Sequence, residues 1–287
     1  MTAQPMPRVV CDPAESEAQY NLRVAFPDFP EVLASWQAAT RSVHARRHPV
    51  RDIAYGPEKL QNYDFFASGR PGAPLFVFVH GGYWQGGDKN DIGFVVEPFV
   101  AAGANAAVVN YRLAPANRIE EMVDDVLQAL RHLMGRREAG DLDFNPAKLV
   151  LMGHSAGGHL VATVACQAEA AGLPAPALVL PVSGLFDLPP LLPSSINDAL
   201  GLDQTRAEAL SPLLMTPPAN TEFQTVIGQN ETAQFHEQAR VLAEVWPRVS
   251  RHHVIADTHH FTVLNLLGDP AQPAVRVMVD RMLALRD

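Results

Sequence analysis

The sequence predicts an α/β fold with a mostly parallel central sheet and helices on both faces. Three observations carry this. From residue 75 onward, short apolar runs of strand length alternate with longer amphipathic patterns. Leu75-Phe76-Val77-Phe78-Val79 is apolar at every position, as in a strand covered on both sides. Two glycine-rich motifs, His80-Gly81-Gly82-Tyr83-Trp84 and Gly153-His154-Ser155-Ala156-Gly157, follow such runs directly. They therefore fall at strand carboxyl ends, where open sheets of this kind bind ligands.

The elements follow in order. Residues 1–18 read as a loose tail, and 20–46 as helix broken near Pro27 and Pro30, with Val32, Leu33, Trp36 and Val43 on one face. Residues 1–49 are taken as an N-terminal tail and helical cover, and 50–287 as the main domain. Residues 50–55 and 60–66 read as strands about a turn at Gly56-Pro57, and 75–79 as the buried strand. A helix with a kink near Pro98 is expected over 91–103, a buried strand over 104–110, and an amphipathic helix over 118–137. Asp124 and Asp125 on that helix are expected as solvated or paired surface charge. Residues 177–182 read as a strand. Prolines 189, 190, 193 and 212 then break up residues 186–218, which are expected to form a small cap. Strands at 223–228 and 252–256 and helices at 235–245 and 275–285 complete the chain.

Bulk properties exclude several function classes. The chain has 287 residues, 47% of them apolar, and a net charge of −9 without a long basic run. Nucleic acid and anionic membrane surfaces are therefore not expected partners. No apolar stretch at the N-terminus reads as a secretory signal, and none anywhere approaches a membrane span of about 20 residues. A cytoplasmic protein is expected. Its two cysteines, Cys11 and Cys166, are expected to form neither a disulfide nor a metal site.

The segment at 153–157 matches G-x-S-x-G between a strand and a helix. Glycines at both ends let strand and helix approach closely while Ser155 sits at a strained apex with its hydroxyl free. The next amide, on Ala156, opens a helix and can face a developing oxyanion. A serine nucleophile needs a base, and the base needs an acid to hold its tautomer. In this architecture the chain order is Ser, acid, His. The loop Asp257-Thr258-His259-His260-Phe261 follows the last strand, so His259 and His260 compete for the base. Glu231 is the first carboxylate after the strand at 223–228. Asp187, after the preceding strand, is its rival, and Asp257 reads as a turn carboxylate. His154 is expected to face away from Ser155, and His159, His252 and His253 to be structural. His80 is expected to fix its own loop. The HGG motif reads alone as a glycine turn with two aromatic anchors. Paired with the elbow, it reads as the other half of an oxyanion hole.

On these residues the sequence resembles the α/β-hydrolase superfamily. Within it, it is similar to the kynurenine formamidases and the neighbouring hormone-sensitive-lipase-like esterases. The resemblance rests on 80–84, 153–157, Gly184-Leu185-Phe186-Asp187-Leu188, Glu231 through Phe235-His236, and His260-Phe261. It implies a serine hydrolase of α/β-hydrolase fold that uses neither metal nor cofactor. Ser155 would be the nucleophile, His260 the base and Glu231 the acid, where the family usually carries aspartate. Amides of Gly81, Gly82, Tyr83 and Ala156 would bind the oxyanion, and Tyr83 and Trp84 would line the acyl pocket. The implied substrate is an aryl formamide such as N-formylkynurenine. The alternatives are a carboxylesterase on small acyl esters and a non-catalytic binding protein on the same fold. The expected partners are a small acyl substrate and, at most, a second copy of the chain in a homodimer.

Overall fold

The computed structural model describes residues 12–246 and 249–286. Helices α1 (Pro13–Tyr20), α2 (Leu22–Ala25) and α3 (Phe29–Arg47) precede the sheet. Strands β1 (Val50–Ala54), β2 (Asn62–Phe66) and β3 (Leu75–Val79) follow, then α4 (Lys89–Ile92), α5 (Glu97–Ala102), β4 (Asn105–Val109) and α6 (Ile119–Glu138). β5 (Leu149–His154), α7 (Ala156–Gln167) and β6 (Leu178–Val182) lead to two short helices, α8 (Asn197–Leu200) and α9 (Gln204–Ala209). β7 (Glu222–Gly228), α10 (Ala233–Val245), β8 (Val249–Ile255), α11 (Val263–Leu267) and α12 (Pro273–Leu283) close the chain.

The eight strands form one sheet in the order β1-β2-β4-β3-β5-β6-β7-β8. β1 and β2, and β2 and β4, pair antiparallel, and every other pairing is parallel. Alternation along β3 divides the core. Leu75, Val77 and Val79 pack with residues of α6, α7 and α10, whereas Phe76 and Phe78 pack with residues of α3, α5, α11 and α12. The sheet is thus buried on both faces, which is why β3 is apolar throughout and β4 and β5 are apolar but for Asn105 and His154 at their ends.

Several local expectations are corrected. The tail as read reaches too far: Asp12 caps α1 by accepting from Glu15 N, and Pro13 opens the helix. Residues 1–11, with Cys11, lie outside the described residues, so the expectation about a disulfide does too. Pro98 does not kink a long helix but stands in the first turn of α5, where its missing N–H costs nothing. Asp125 is not surface charge. It is fully buried, accepts from Arg112 and from Gln61 Nε2 at 2.8 Å, and ties α6 to the loop after β4. Asp124 is exposed, as read. α11 had no separate expectation, being only one turn long.

A second buried ion group anchors the segment beyond the HGG motif. Lys89 Nζ lies 2.6 Å from Asp52 Oδ1 and 2.7 Å from Asp64 Oδ1, and the Lys89 and Asp64 side chains are each 1% exposed. Arg51 reaches Asp64 from the surface at 3.5 Å. Lys89→Met should lower stability by about 3 kcal/mol, because the buried Asp64 carboxylate loses its one buried cation and keeps only the Asp52 amide at 2.9 Å, the His44 ring at 3.7 Å and the peripheral Arg51. Urea denaturation read by circular dichroism measures this. Among the described residues, no helix is long and apolar enough to cross a membrane.

Candidate active site

Ser155 stands between β5 and α7 with φ 54° and ψ −118°, a conformation L residues rarely adopt. The turn is locked from both sides. Ser155 N donates to Val182 O at 2.8 Å. A Cβ at Gly157 would lie 2.1 Å from Val79 O, and one at Gly153 would lie 2.1 Å from Gly157 O. Glycine at both positions is therefore a packing requirement of the elbow. Ser155 faces a cavity of about 520 Å³ that Gly81, Gly82, Tyr83 and His260 also line.

His260 lies in the loop after β8. Its Nδ1 is 2.8 Å from Glu231 Oε2, and the two side chains are 1% and 0% exposed. A carboxylate only accepts, so this bond places the proton on Nδ1 and leaves Nε2 with its lone pair. Glu231 is itself held. Its Oε1 accepts from Gly228 N at 2.8 Å and from the Ser183 hydroxyl. Asn230 N donates to Thr258 O at 2.8 Å, which ties the acid's loop to the base's loop. Phe235, Phe261 and His154 surround the imidazole with ring centroids at 4.6, 5.3 and 4.7 Å.

The rival acids are placed elsewhere. The Asp187 backbone is fixed by Gln238, whose Oε1 accepts from Asp187 N and whose Nε2 donates to Asp187 O. Asp257 is an exposed turn residue at φ 57°. His259, the rival base, turns outward. Its Nε2 is 3.0 Å from Asp28 Oδ2, and its ring stacks on Phe26 at 4.4 Å with 7° between the planes. It thereby fastens the loop of His260 to the segment between α2 and α3.

Two expectations about the site need correcting. Trp84 does not line the cavity. With Tyr83 at φ 50° and Trp84 at φ 56°, the chain turns the indole into the core, where it is fully buried and meets the His159 ring edge-on at 5.0 Å. Tyr83 does line the cavity, and its hydroxyl donates to Tyr20 O at 2.6 Å. His154 does not face away from Ser155 but lines the same cavity, with Nε2 donating to His260 O at 2.8 Å. Burial, and then the neighbouring His260, push its pKa well below the usual histidine value. It stays neutral and acts as a brace.

His80 bonds Gly81 O at 2.8 Å through Nδ1 and stacks on Tyr111, and burial lowers its pKa. His159 donates to Leu210 O, and burial brings its pKa down to about 4. His252 bonds Thr225 and His253 bonds Gln224, both within the sheet.

Sequence reasoning missed the cavity's other wall. Phe29, Leu33 and Trp36 of α3 and Arg23 of α2 line it. The apolar face containing Leu33 and Trp36 was visible as a period in the sequence, but not what it covered. Among the described residues, no group of three or more His, Cys, Asp or Glu is placed to hold a metal ion.

Comparison with known proteins agrees with this architecture. A family model described as α/β hydrolase fold matches residues 76–255. Kynurenine formamidase of Danio rerio is 28% identical, over 83% of this chain and 83% of its own. The Drosophila melanogaster kynurenine formamidase is 32% identical, over 68% of each chain. A solved thioesterase candidate from Silicibacter sp. TM1040 superposes with a TM-score of 0.82 at 30% identity, covering 92% of this chain and 98% of that one. Esterase B of Lactobacillus rhamnosis shares the fold, with a TM-score of 0.68 at 22% identity. With its elbow, its strand order and these relatives, the chain belongs to the α/β-hydrolase superfamily, in the group that holds the kynurenine formamidases.

Proposed function

We propose that this enzyme is a serine hydrolase that cleaves an aryl formamide such as N-formylkynurenine. The observation that carries the proposal is the buried Glu231–His260 pair beside the cavity that presents Ser155. In this reading Ser155 Oγ attacks the formyl carbon as His260 Nε2 takes its proton. The carbonyl π electrons move onto oxygen, which amides of Gly81, Gly82, Tyr83 and Ala156 can receive. Collapse breaks the C–N bond, and His260 gives its proton to the leaving arylamine. Water, activated by the same Nε2, then adds to the formyl-enzyme and releases formate. Glu231 holds the imidazole throughout and offsets its charge when it is protonated.

The N-terminal segment and the pieces around 186–218 serve as cover and cap of the hydrolase domain. Ser195 and Ile196 of the latter reach the cavity. The enzyme is taken as cytoplasmic, acting on a small molecule alone or as a homodimer. Esterase relatives favour a second reading, hydrolysis of small acyl esters by the same residues.

One set of rates tests both. N-formylkynurenine should give a higher kcat/KM than p-nitrophenyl acetate. Among p-nitrophenyl esters, kcat/KM should fall by about tenfold or more from acetyl to octanoyl, because overfilling a packed pocket costs about 1–3 kcal/mol. Tyr83, fixed by its bond to Tyr20 O, is the wall that longer chains meet. An ester preference with a flat chain-length series would favour the second reading.

A further inference from the structure

One charge in the cavity has no part in the chemistry above. Arg23 of α2 lines the cavity that presents Ser155 and His260, and among the described residues it is the only lysine or arginine in that lining. Its guanidinium lies 5.5 Å from the centroid of the Phe29 ring, a cation–π contact that orients it. Among the described residues, no carboxylate pairs with it. Beside it stands an aromatic wall. Phe29 packs on Phe261 at 4.5 Å and meets Trp36 edge-on at 6.2 Å. All three rings line the cavity.

The remaining formal charge in the lining is negative. Asp88 and Asp91 stand there, each already accepting hydrogen bonds, Asp88 from Asn90 and Asn110 and Asp91 from Gln37. A carboxylate entering this cavity is repelled by those two groups and finds a matching cation only at Arg23. A ligand with both a carboxylate and an ammonium group suits the mixed lining better than a simple anion.

We propose that Arg23 binds a carboxylate on the leaving-group side of the substrate, so that the site selects aryl substrates bearing an acid, above all an α-amino acid. The inference rests on the reading of the cavity as an acyl-transfer site. It assigns Arg23 a specificity role: the ring lies against the Phe29–Phe261 wall and the acid meets the guanidinium, whose fork matches a carboxylate.

The test uses the full chain and two esters with the same reacting carbonyl, phenyl acetate and 3-acetoxybenzoate. The readout is the ratio of their kcat/KM values, the acid over the neutral ester. Arg23→Gln should lower this ratio by about tenfold, mainly through KM of the acid, as expected for a lost hydrogen bond to a charged group. Arg23→Lys should restore part of it. Added NaCl should lower the wild-type ratio but not that of Arg23→Gln, which should hold or rise as the repulsion from Asp88 and Asp91 is screened. An unchanged ratio in Arg23→Gln overturns the proposal, and so does an equal fall for both esters, which marks a structural role. If neither ester is turned over, the same ratio is taken between N-formylkynurenine and formanilide. A wild-type enzyme inert toward N-formylkynurenine overturns the substrate proposed above, while the ester ratio still decides the role of Arg23.

Discussion

Ser155→Ala should lower kcat on N-formylkynurenine or on p-nitrophenyl acetate by on the order of 10⁶, to the residual rate of a site that only binds. The change removes one oxygen from a side chain at the head of a cavity. The elbow itself is held by Ser155 N on Val182 O and by Gly153 and Gly157, none of which the substitution touches. The variant should therefore keep its circular dichroism spectrum and its melting temperature within a few degrees. Stopped-assay rates at high enzyme concentration, with mass spectrometry to exclude carry-over of wild type, measure the loss. Retention of a tenth of the activity would rule out Ser155 as the nucleophile.

The second large effect belongs to the acid. Glu231→Gln keeps length and shape but removes the charge that offsets the imidazolium. It also lets the amide present an N–H to His260 Nδ1, which stabilises the wrong tautomer. The corresponding change in a serine protease costs about 10⁴ in kcat, and a loss of that order is expected here. Three donors converge on Glu231, namely His260 Nδ1, Gly228 N and the Ser183 hydroxyl. A glutamine oxygen can accept from at most two of them, and its NH₂ then faces the third. Asp187→Asn is the control. It should cost less than about tenfold, because Asp187 meets Gln238 through its backbone and makes no bond to His260. Greater damage from Asp187→Asn than from Glu231→Gln would move the acid to the end of β6, leaving Ser155 and His260 in place.

Much of the fold was legible because the physics that fixes it is local. A strand covered on both faces must be apolar along most of its length, so β3, β4 and β5 announce themselves. The elbow must have glycine where strand and helix touch, so Ser155 was marked by its neighbours. Glu231 and the loop of His259 and His260 were reached by chain order, the resemblance helping to choose His260, and the sheet explains why order leads there: the loops after β7 and β8 are adjacent because those strands pair in parallel. What stayed illegible depends on contacts across long separations. Nothing near Asp125 announces that Arg112 and Gln61 will bury it. HGGYW reads the same whether Trp84 turns outward or inward, and the choice is made by two positive φ angles and by room beside His159. The outward turn of His259 is decided by Asp28 and Phe26, 231 and 233 positions earlier in the chain.

That last contact has a consequence for the enzyme's synthesis. In order of synthesis Asp28, Phe29 and Trp36 precede Ser155, and His259 and His260 follow it. A nascent chain that has exposed Ser155 but not yet the loop after β8 carries a nucleophile without a base. The early wall of the cavity also lacks the Phe261 ring and the His259 ring against which it rests. The site is therefore silent during translation. It comes together when the loop after β8 docks on Phe26 and Asp28, and a chain terminated before His260 has no imidazole to serve Ser155.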